Sequence, residues 1–375
     1  MKIEKKILII SHDASPGGAQ NSILNFSKIL RSLDFELHII LKQGGSLNKE
    51  FEKLGTCYLW SKIDISRANL FVRILNKLFN LNKLFNLKIS RKISFFSPQL
   101  CICNTISNYE IIKKTTNSKL KLITWVHELS YMYEIIEKVS LEKPNELIKI
   151  TDFFLCASNA VQSFLIERHN IPKDKTYVIN EIISNKIEGI QSEKSKSFTV
   201  GGCGALGWRK GSDLFLRVAD ELINKLQVKD VYFEWLGAQN NSIGLLQMQE
   251  EIKKLGLEKF VKVVPFEINS YNFMERISLF LMTSREDPFP LVNLEAGLYE
   301  SPILCFGGSG GSEEIAIKEN IFKYIDTLLM AKRVKFYKEN RSSLETDSKI
   351  SYQKASEFTK QSKTKEVEEL IQNLF

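Results

Sequence analysis

Short apolar runs alternate with segments of helical periodicity along the first half of the chain. Lys6–Ser11 and Glu36–Leu41 are apolar runs of strand length, and Asn21–Leu33 between them repeats its apolar residues at helical spacing. This alternation is typical of a parallel sheet covered by helices on both faces. The pattern therefore predicts an α/β domain. Its other predicted strands are Leu100–Cys103, Leu120–Val126, Phe153–Ala157 and Val178–Asn180.

The same alternation resumes after a mostly polar stretch, Ser184–Ser197, which has the composition of a linker. We therefore predict two domains, residues 1–184 and residues 185–354. After Asp326 the strand signals cease, and Glu366–Leu374 has a helical pattern. The strands predicted in the second domain are Phe198–Cys203, Val231–Leu236, Val261–Val264, Ile277–Met282 and Ile303–Phe306.

Composition narrows the class of protein. Hydrophobic residues make up 43% and charged residues 26% of the 375 residues, as in a soluble protein large enough for two domains. No apolar run approaches the about eighteen residues of a membrane-spanning helix, and the run that ends at Ile10 is too short for a signal peptide. Cysteines such as Cys156 lie inside apolar runs, like buried reduced thiols, so we expect a cytoplasmic chain.

The charge indicates an anionic partner. The formal net charge is +8, which suits a nucleotide, a phospholipid surface or a nucleic acid. No nucleic-acid-binding motif occurs, so we expect no nucleic-acid partner. Cys101 and Cys103 form a pair without a matching second pair, which argues against a zinc site.

The segment 66–97 carries many basic residues and no acidic residue. It includes a tandem hexapeptide, 76–81 followed by 82–87, and its apolar residues lie largely opposite its basic ones. A helix with a basic and an apolar face can lie on an anionic membrane. The alternative is a helix that packs on its own sheet with its lysines in water. Because acids are absent, we predict peripheral contact with the inner face of the cell membrane.

Two acids follow the predicted strand Ile277–Met282. Asp287 lies in a proline-marked loop where this strand ends, and Glu295 lies about one turn into the next helix. Open α/β sheets bind ligands outside the carboxyl ends of their parallel strands. A carboxylate accepts hydrogen bonds from neighbouring hydroxyls, so two acids at this edge suit a ligand rich in hydroxyl groups.

Other strand ends also carry polar or glycine-rich loops. Gly17 and Gly18 precede a helix, where backbone amides and the helix dipole favour a phosphate. His127 follows the strand Leu120–Val126, and Glu128 comes next. A second glycine-rich turn, at residues 307–311, follows the strand Ile303–Phe306.

Residues 202–207 satisfy the dinucleotide fingerprint G-x-G-x-x-G after a strand, which would indicate an NAD-dependent oxidoreductase. Two observations count against that interpretation. Residues 208–211 separate the fingerprint from its helix, and Glu234 lies within the next strand and not at its end, where a ribose would bind. We therefore reject an NAD site.

The spacing of an acid, seven residues and Glu295 resembles the acidic signature of the family-4 (group 1) retaining glycosyltransferases. The glycine loop at Gly17, the histidine at 127 and the Lys210-Gly211 step stand in the family's order. The resemblance implies a GT-B architecture, which is two Rossmann-like domains facing a central cleft. The acceptor-binding domain comes first and the donor-binding domain second, and a final helix within 355–375 packs back on the first.

The resemblance also implies roles for individual residues. Lys210 binds the donor diphosphate, and Arg209 replaces an arginine that is often found where this chain has Ala205. His127 lies near the transferred sugar, and Asp287 is the first acid of the pair, with Glu286 as the alternative. Catalytic roles are thus predicted for His127, Asp287 and Lys210. Donor binding is predicted for Gly17, Gly18, Arg209, Lys210, Glu286, Asp287, Phe289, Leu291, Val292, Glu295, Gly310 and Gly311.

The implied reaction moves a sugar from a nucleoside diphosphate, UDP or GDP, to an acceptor hydroxyl with retention of the anomeric configuration. The acceptor would be a saccharide or a lipid-linked acceptor in cell-surface polysaccharide or glycolipid synthesis. The nucleotide sugar is a co-substrate, and we expect no cofactor and no metal. Two alternatives stay open: a sugar-nucleotide epimerase on the same fold, and an inactive nucleotide-sugar-binding protein, suggested by Ala205 and Asp287.

Overall fold

The computed structural model describes residues 5–60, 81–117, 119–183, 197–266 and 270–374. The chain divides into two compact units. The first unit is Met1–Ile182 together with Thr364–Phe375, and the second is Ile183–Lys363. The predicted linker lies outside the described residues except for Ser197, and so does the part of the basic segment from 66 to 80.

The first unit contains a parallel sheet. In the described residues its order is β3-β2-β1-β4-β5-β6-β7. The strands read as near-continuous apolar runs because helices cover both faces, and Ile7–Ile10 is fully buried. The strands are β1 (Lys6–Ser11), β2 (Glu36–Leu41), β3 (Thr56–Leu59), β4 (Leu100–Asn104), β5 (Lys121–Val126), β6 (Phe153–Cys156) and β7 (Thr176–Val178).

The helices of this unit fill the connections between strands. They are α1 (Gly18–Ser32), α2 (Asn48–Glu52), α3 (Leu81–Phe96), α4 (Tyr109–Thr115), α5 (Ser130–Lys138), α6 (Pro144–Ile150) and α7 (Asn159–His169). The last helix of the chain, α15 (Lys360–Leu374), also buries its apolar stripe in the core of this unit. The stripe consists of Val367, Leu370, Ile371 and Leu374.

The second unit contains a parallel sheet whose described order is β10-β9-β8-β11-β12-β13. Its strands are β8 (Phe198–Cys203), β9 (Val231–Ala238), β10 (Val261–Pro265), β11 (Leu279–Met282), β12 (Ile303–Phe306) and β13 (Ile321–Phe322). Its helices are α8 (Ser212–Asp220), α9 (Ile243–Lys254), α10 (Tyr271–Arg276), α11 (Leu291–Leu298), α12 (Ser312–Ile315), α13 (Thr327–Glu339) and α14 (Arg341–Ser356).

Both sheets have a topological switch point. The strand order reverses between β1 and β4 in the first unit and between β8 and β11 in the second. Loops that leave the carboxyl ends of two such strands diverge to opposite faces and leave a crevice for a ligand. The Lys210 loop leaves β8 and the Asp287 loop leaves β11. Lys210 and Asp287 therefore lie at the switch point of the second unit.

Candidate donor site and histidine site

The loops after β8 and β11 pack directly on each other. Gly211 has a left-handed conformation with φ of 69°, and a Cβ atom there would lie 1.9 Å from the carbonyl oxygen of Thr283. The hydroxyl of Thr283 donates to the Gly211 carbonyl oxygen at 2.9 Å, and the Arg285 amide donates to the Arg209 carbonyl oxygen at 2.8 Å. Only glycine allows this approach, which explains the glycine after Lys210.

This packing brings both predicted cations to the predicted acid. The ammonium of Lys210 donates to the carboxylate of Asp287. The guanidinium of Arg209 lies 4.0 Å from the same carboxylate and donates at 3.0 Å to the carbonyl oxygen of Glu286. Asp287 is buried and Glu286 is half-buried. The loops thus join two positive charges to one buried negative charge at the strand ends.

The glycine-rich loop after β12 supports Asp287 from its other side. The Asp287 amide donates to the Ser309 carbonyl oxygen at 2.7 Å, and Asp287 and Gly310 form a parallel bridge. The Gly311 amide donates to the carbonyl oxygens of Asp287 and Pro288 at 3.1 and 3.0 Å. The Gly311 amide is therefore used inside the protein, which differs from the amide contact to a ligand that the sequence suggested for this loop.

Glu295 lies in α11 and its carboxylate accepts a hydrogen bond of 2.7 Å from the hydroxyl of Ser270. Burial raises the pKa of Glu295, and the Ser270 bond partly opposes that rise. Cys203, at the end of β8, has a pKa raised to about 12 by burial and, secondarily, by the charge of Glu295. The charge of Lys210 opposes this rise and lowers the pKa of the same thiol. Glu295 and Lys210 therefore flank the end of β8 together.

Three more predicted donor residues surround the start of α11. Leu291 and Val292 form its first turn, are half-buried, and follow Pro290, which provides no side-chain cap. The partial positive charge of this helix end is therefore not offset by a capping side chain. Phe289 is buried, with its ring centroid 5.3 Å from that of Phe358. Its ring packs inside the unit.

In the first unit, His127 is held by two side chains. Its Nδ1 lies 2.8 Å from the carboxylate of Glu181, and its Nε2 lies 2.9 Å from the side-chain oxygen of Asn104. The Asn104 amide nitrogen donates at 3.0 Å to the Ala19 carbonyl oxygen, which fixes the amide orientation. One oxygen holds each ring nitrogen, so the two side chains together fix the orientation of the imidazole ring.

Glu128 has a different environment from His127. Its carboxylate accepts from the backbone amides of His127 and Ile106 at 3.0 and 3.4 Å. Burial raises the pKa of Glu128, while the charge of His127 and these amides oppose the rise. Glu128 therefore fixes the loop after β5.

Gly17 and Gly18 begin α1 beside a polar cluster at the end of β1. A Cβ atom at Gly17 would lie 2.3 Å from the side-chain oxygen of Gln20, whereas one at Gly18 would meet no atom within 4 Å. Gln20 contacts His12 at 2.9 Å and donates to Asp13 at 2.5 Å. Burial lowers the pKa of His12, and the charge of Asp13 opposes that shift. The Gly18 backbone thus presents an open approach to α1.

Sequence reasoning missed the partners of the predicted residues. Glu181 and Asn104 orient His127, Ser270 binds Glu295, and His12 adjoins the Gly17 loop. Asn104, Glu181 and His12 each stand at or just after the end of a strand. A systematic search for polar residues at strand ends could have found these three, but Ser270 precedes the helix α10 and carries no comparable signal.

Helix α3, which covers most of the described part of the basic segment, has one face toward the sheet and one exposed face. Phe85, Ile89, Ile93 and Phe96 face the sheet, and the last three are buried. Leu84 and Leu87 are half exposed and Phe95 is 94% exposed. The sequence predicted that the apolar face of this segment contacts a membrane, but Phe85 of that face packs against the core of the first unit, because it shares a helix face with Ile89. The exposed basic residues are Lys83, Lys88, Arg91 and Lys92.

The described residues contain neither a membrane-spanning helix nor a cluster of metal ligands. No helix in them is long and apolar enough to cross a membrane. Nor do they contain a group of three or more His, Cys, Asp or Glu side chains arranged to hold a metal ion.

The two parallel sheets and the strand-end sites define a protein of the GT-B class. Residues 184–361 match the model of the family described as glycosyl transferases group 1. The second unit is therefore a group 1 glycosyltransferase domain, and the resemblance seen in the sequence is confirmed there. The narrower family-4 assignment stays a prediction. No curated protein sequence matches the chain significantly.

Solved structures share this fold over nearly the whole chain. Anabaena HepE in complex with UDP-glucose aligns with a TM-score of 0.76 and 17% identity over 98% of this chain and 99% of that one. Sucrose-phosphate synthase from Thermosynechococcus elongatus aligns with a TM-score of 0.77 and 13% identity over 99% of both chains. The lipopolysaccharide outer core galactosyltransferase WaaB aligns with a TM-score of 0.68 and 16% identity over 99% of this chain and 100% of that one.

Proposed function

We propose that this protein is a retaining glycosyltransferase that moves a sugar from a nucleoside diphosphate sugar to an acceptor hydroxyl. The observation that carries the proposal is the meeting of Lys210 and Arg209 with Asp287 at the switch point of a group 1 glycosyltransferase domain. Cations held at the carboxyl ends of parallel strands suit a diphosphate, and a neighbouring carboxylate suits sugar hydroxyls.

The chemistry needs stabilisation of a departing diphosphate. As the bond between the sugar carbon and the diphosphate oxygen breaks, negative charge develops on that oxygen. Preorganised cations are the largest source of stabilisation for such charge, and Lys210 and Arg209 are held in place before the ligand arrives. Because these side chains can serve a diphosphate by themselves, we propose that turnover requires no metal ion.

Retention follows if the acceptor attacks from the face that the diphosphate leaves. The acceptor oxygen forms the new bond to the sugar carbon, and its proton passes to the departing phosphate oxygen. Asp287 and Glu295 contribute by orienting hydroxyl groups of the sugar and the ribose, which aligns the reacting atoms without a covalent intermediate. The Ser270 bond to Glu295 fixes that carboxylate for its role.

The surface of α3 supports a role at a membrane. Its exposed leucines and Phe95 lie among basic side chains, a composition that binds anionic lipid headgroups. We propose peripheral attachment at the cytoplasmic face, where a lipid-linked or saccharide acceptor of cell-surface glycan synthesis would be met. WaaB, which has a similar fold, is a lipopolysaccharide galactosyltransferase and is consistent with such a role.

A donor screen followed by a turnover assay tests the proposal. A thermal-shift panel of UDP-, GDP- and ADP-sugars identifies the nucleotide, beginning with UDP-glucose because HepE binds it. The stabilising donor is then incubated with saccharide and lipid-linked acceptors, with and without EDTA, and the anomer of the product is determined by NMR. We expect a retained anomer in both conditions.

The other outcomes separate the alternatives. An epimerised donor or released epimerised sugar without acceptor would identify an epimerase, and donor binding without turnover across a broad acceptor panel would favour an inactive binding protein. Activity lost in EDTA and restored by magnesium or manganese would contradict metal independence. Lys253→Glu, on the exposed face of α9, serves as a control substitution in all assays.

A further inference from the structure

Arg285 contacts the residues on both sides of the Arg209-Lys210 step, although it was not among the predicted site residues. Its guanidinium makes a two-pronged contact with the carboxylate of Asp213, with nitrogen–oxygen distances of 2.8 and 2.6 Å. It also donates at 2.7 Å to the carbonyl oxygen of Trp208, and its central carbon lies 5.1 Å from the centre of the Trp208 ring. The Arg285 side chain is only 10% exposed, whereas that of Asp213 is 57% exposed.

These contacts surround the turn that carries the predicted diphosphate-binding cations. Trp208 immediately precedes Arg209 and Lys210, and Asp213 lies in the first turn of α8 just after them. The Arg285 side chain thus holds the turn at both of its ends, while its own amide donates to the Arg209 carbonyl oxygen at 2.8 Å. Asp287, the partner of Lys210, follows two residues later on the same loop as Arg285.

The planar guanidinium is suited to this task. It offers several donors in one fixed fork, so it can bind a carboxylate with two parallel bonds and a carbonyl oxygen at the same time. The hydrogen bonds from Arg285 lower the pKa of Asp213 against the opposing effect of burial, and Asp213 in turn raises the pKa of Arg285. A lysine would keep the charge but lose the fork.

We infer that Arg285 is a positioning residue for donor binding: its side chain clamps the turn 208–213 so that Lys210 meets the diphosphate. This inference rests on the proposed function. The side chain of Arg285 directs its donors at Asp213 and Trp208, so it acts on the ligand through Lys210. Its loss therefore weakens diphosphate binding only while Lys210 is present.

A double-mutant cycle measures this dependence. UDP, GDP and ADP are titrated by calorimetry into wild type, Arg285→Lys, Lys210→Ala and the double variant. We expect Arg285→Lys to weaken the preferred nucleoside diphosphate about tenfold, corresponding to loss of a charge-assisted contact. In the Lys210→Ala background the same change should have an effect of less than about twofold. The nucleoside alone, which has no phosphate, should bind wild type and Arg285→Lys equally.

Matched variants guard against a merely structural effect. Arg276→Lys alters another arginine–carboxylate pair of the same unit, Arg276 with Glu234 at 2.7 Å, and should leave binding unchanged. Asp213→Asn weakens the clamp from its exposed end and should reproduce the loss of affinity if Arg285→Lys does not fold.

The contradicting outcomes are distinct. If wild type binds a diphosphate and Arg285→Lys binds it equally, the inference is overturned while the proposed function stands. A tenfold loss in both backgrounds would also overturn it, because Arg285 would then act independently of Lys210. If wild type binds none of the three nucleotides, the proposed function and the inference fail together.

Discussion

The carboxylate of Asp287 is paired with the ammonium of Lys210 across 77 positions of sequence. Each residue stands on a loop that leaves one of two neighbouring parallel strands, and the strand order reverses between those strands. In the described chain the side chain of Asp287 thus faces the cations, while Glu286 contributes its backbone carbonyl oxygen to Arg209. The pair links the acid and the cation that the proposed reaction uses.

The first prediction distinguishes the two adjacent acids. Asp287→Asn removes the charge that faces Lys210 and should lower turnover about ten- to hundredfold, since a charged hydrogen bond contributes roughly 1.5–3 kcal/mol. Glu286→Gln should have a much smaller effect, with both variants folded by circular dichroism. If Glu286→Gln is the more damaged enzyme in steady-state assays, the first acid of the pair has been assigned to the wrong residue.

The second prediction concerns the pair of His127 and Glu181, whose side chains are 7% and 4% exposed. His127→Ala should lower turnover about a hundredfold, in the range of a lost acid–base or charge-stabilising group. Glu181→Gln should lower turnover about tenfold because the His127 ring keeps a hydrogen-bond partner but loses the stronger, charged one. His38→Gln, a histidine that stacks on Phe96, is the control and should retain activity. Full activity of His127→Ala would remove it from the catalytic residues.

The third prediction uses the pKa of Glu295, which burial raises above the ordinary value of 4.5. At a pH between 4.5 and the raised pKa of Glu295 in the folded state, folded Glu295 holds a proton that the unfolded chain has released. The contribution of Glu295 to the free energy of unfolding is therefore largest below 4.5 and is lost as pH rises through the folded pKa.

Glu295→Gln should remove this loss in the ligand-free protein. We expect its melting temperature to exceed that of wild type most at pH 8, with a difference that shrinks steadily toward pH 4.5. Glu250→Gln, at an exposed position of α9, should show no such trend. A difference in melting temperature between Glu295→Gln and wild type that stays the same at every pH would contradict a raised pKa of Glu295.

The fourth prediction concerns the exposed face of α3. Lys88→Glu/Arg91→Glu should release the protein from anionic vesicles in a sedimentation assay, since each basic residue near such a surface contributes about 1 kcal/mol. Phe95→Ser should weaken binding at high salt, where the apolar contact matters most. The matched reversal Lys253→Glu/Lys254→Glu on α9 should pellet like wild type. Equal pelleting of all variants would remove the membrane proposal.

Local sequence signals were sufficient for most of the fold. Buried parallel strands such as β1 and β4 are continuous apolar runs. Their regular alternation with helical segments makes them recognisable in the sequence. β3 and β13 were not predicted, because β3 is only partly buried and β13 comprises two residues. The predicted helix Asn21–Leu33 begins earlier, at Gly18, since glycines carry no helical signal of their own.

The sequence singled out the residues of the candidate site but not which of them pair. Lys210, Asp287 and Glu295 lie in motifs of fixed spacing, so one sequence suffices to single them out. Which side chain meets which depends on the order of the strands, and that order is a tertiary property. The pairing of Glu181 with His127 and the clamp by Arg285 join residues far apart in sequence, so no local signal shows which side chains meet.

Calorimetric titration of the donor into wild type and Lys210→Ala, both in EDTA, tests the central claim most directly. We predict that wild type binds the nucleotide sugar selected by the thermal-shift panel at one site. Lys210→Ala should bind it at least about tenfold more weakly, since it loses a charged contact to the diphosphate, while its circular dichroism spectrum without ligand stays like that of wild type. Equal affinity of the two proteins, or the absence of binding to every donor tested, would contradict the account.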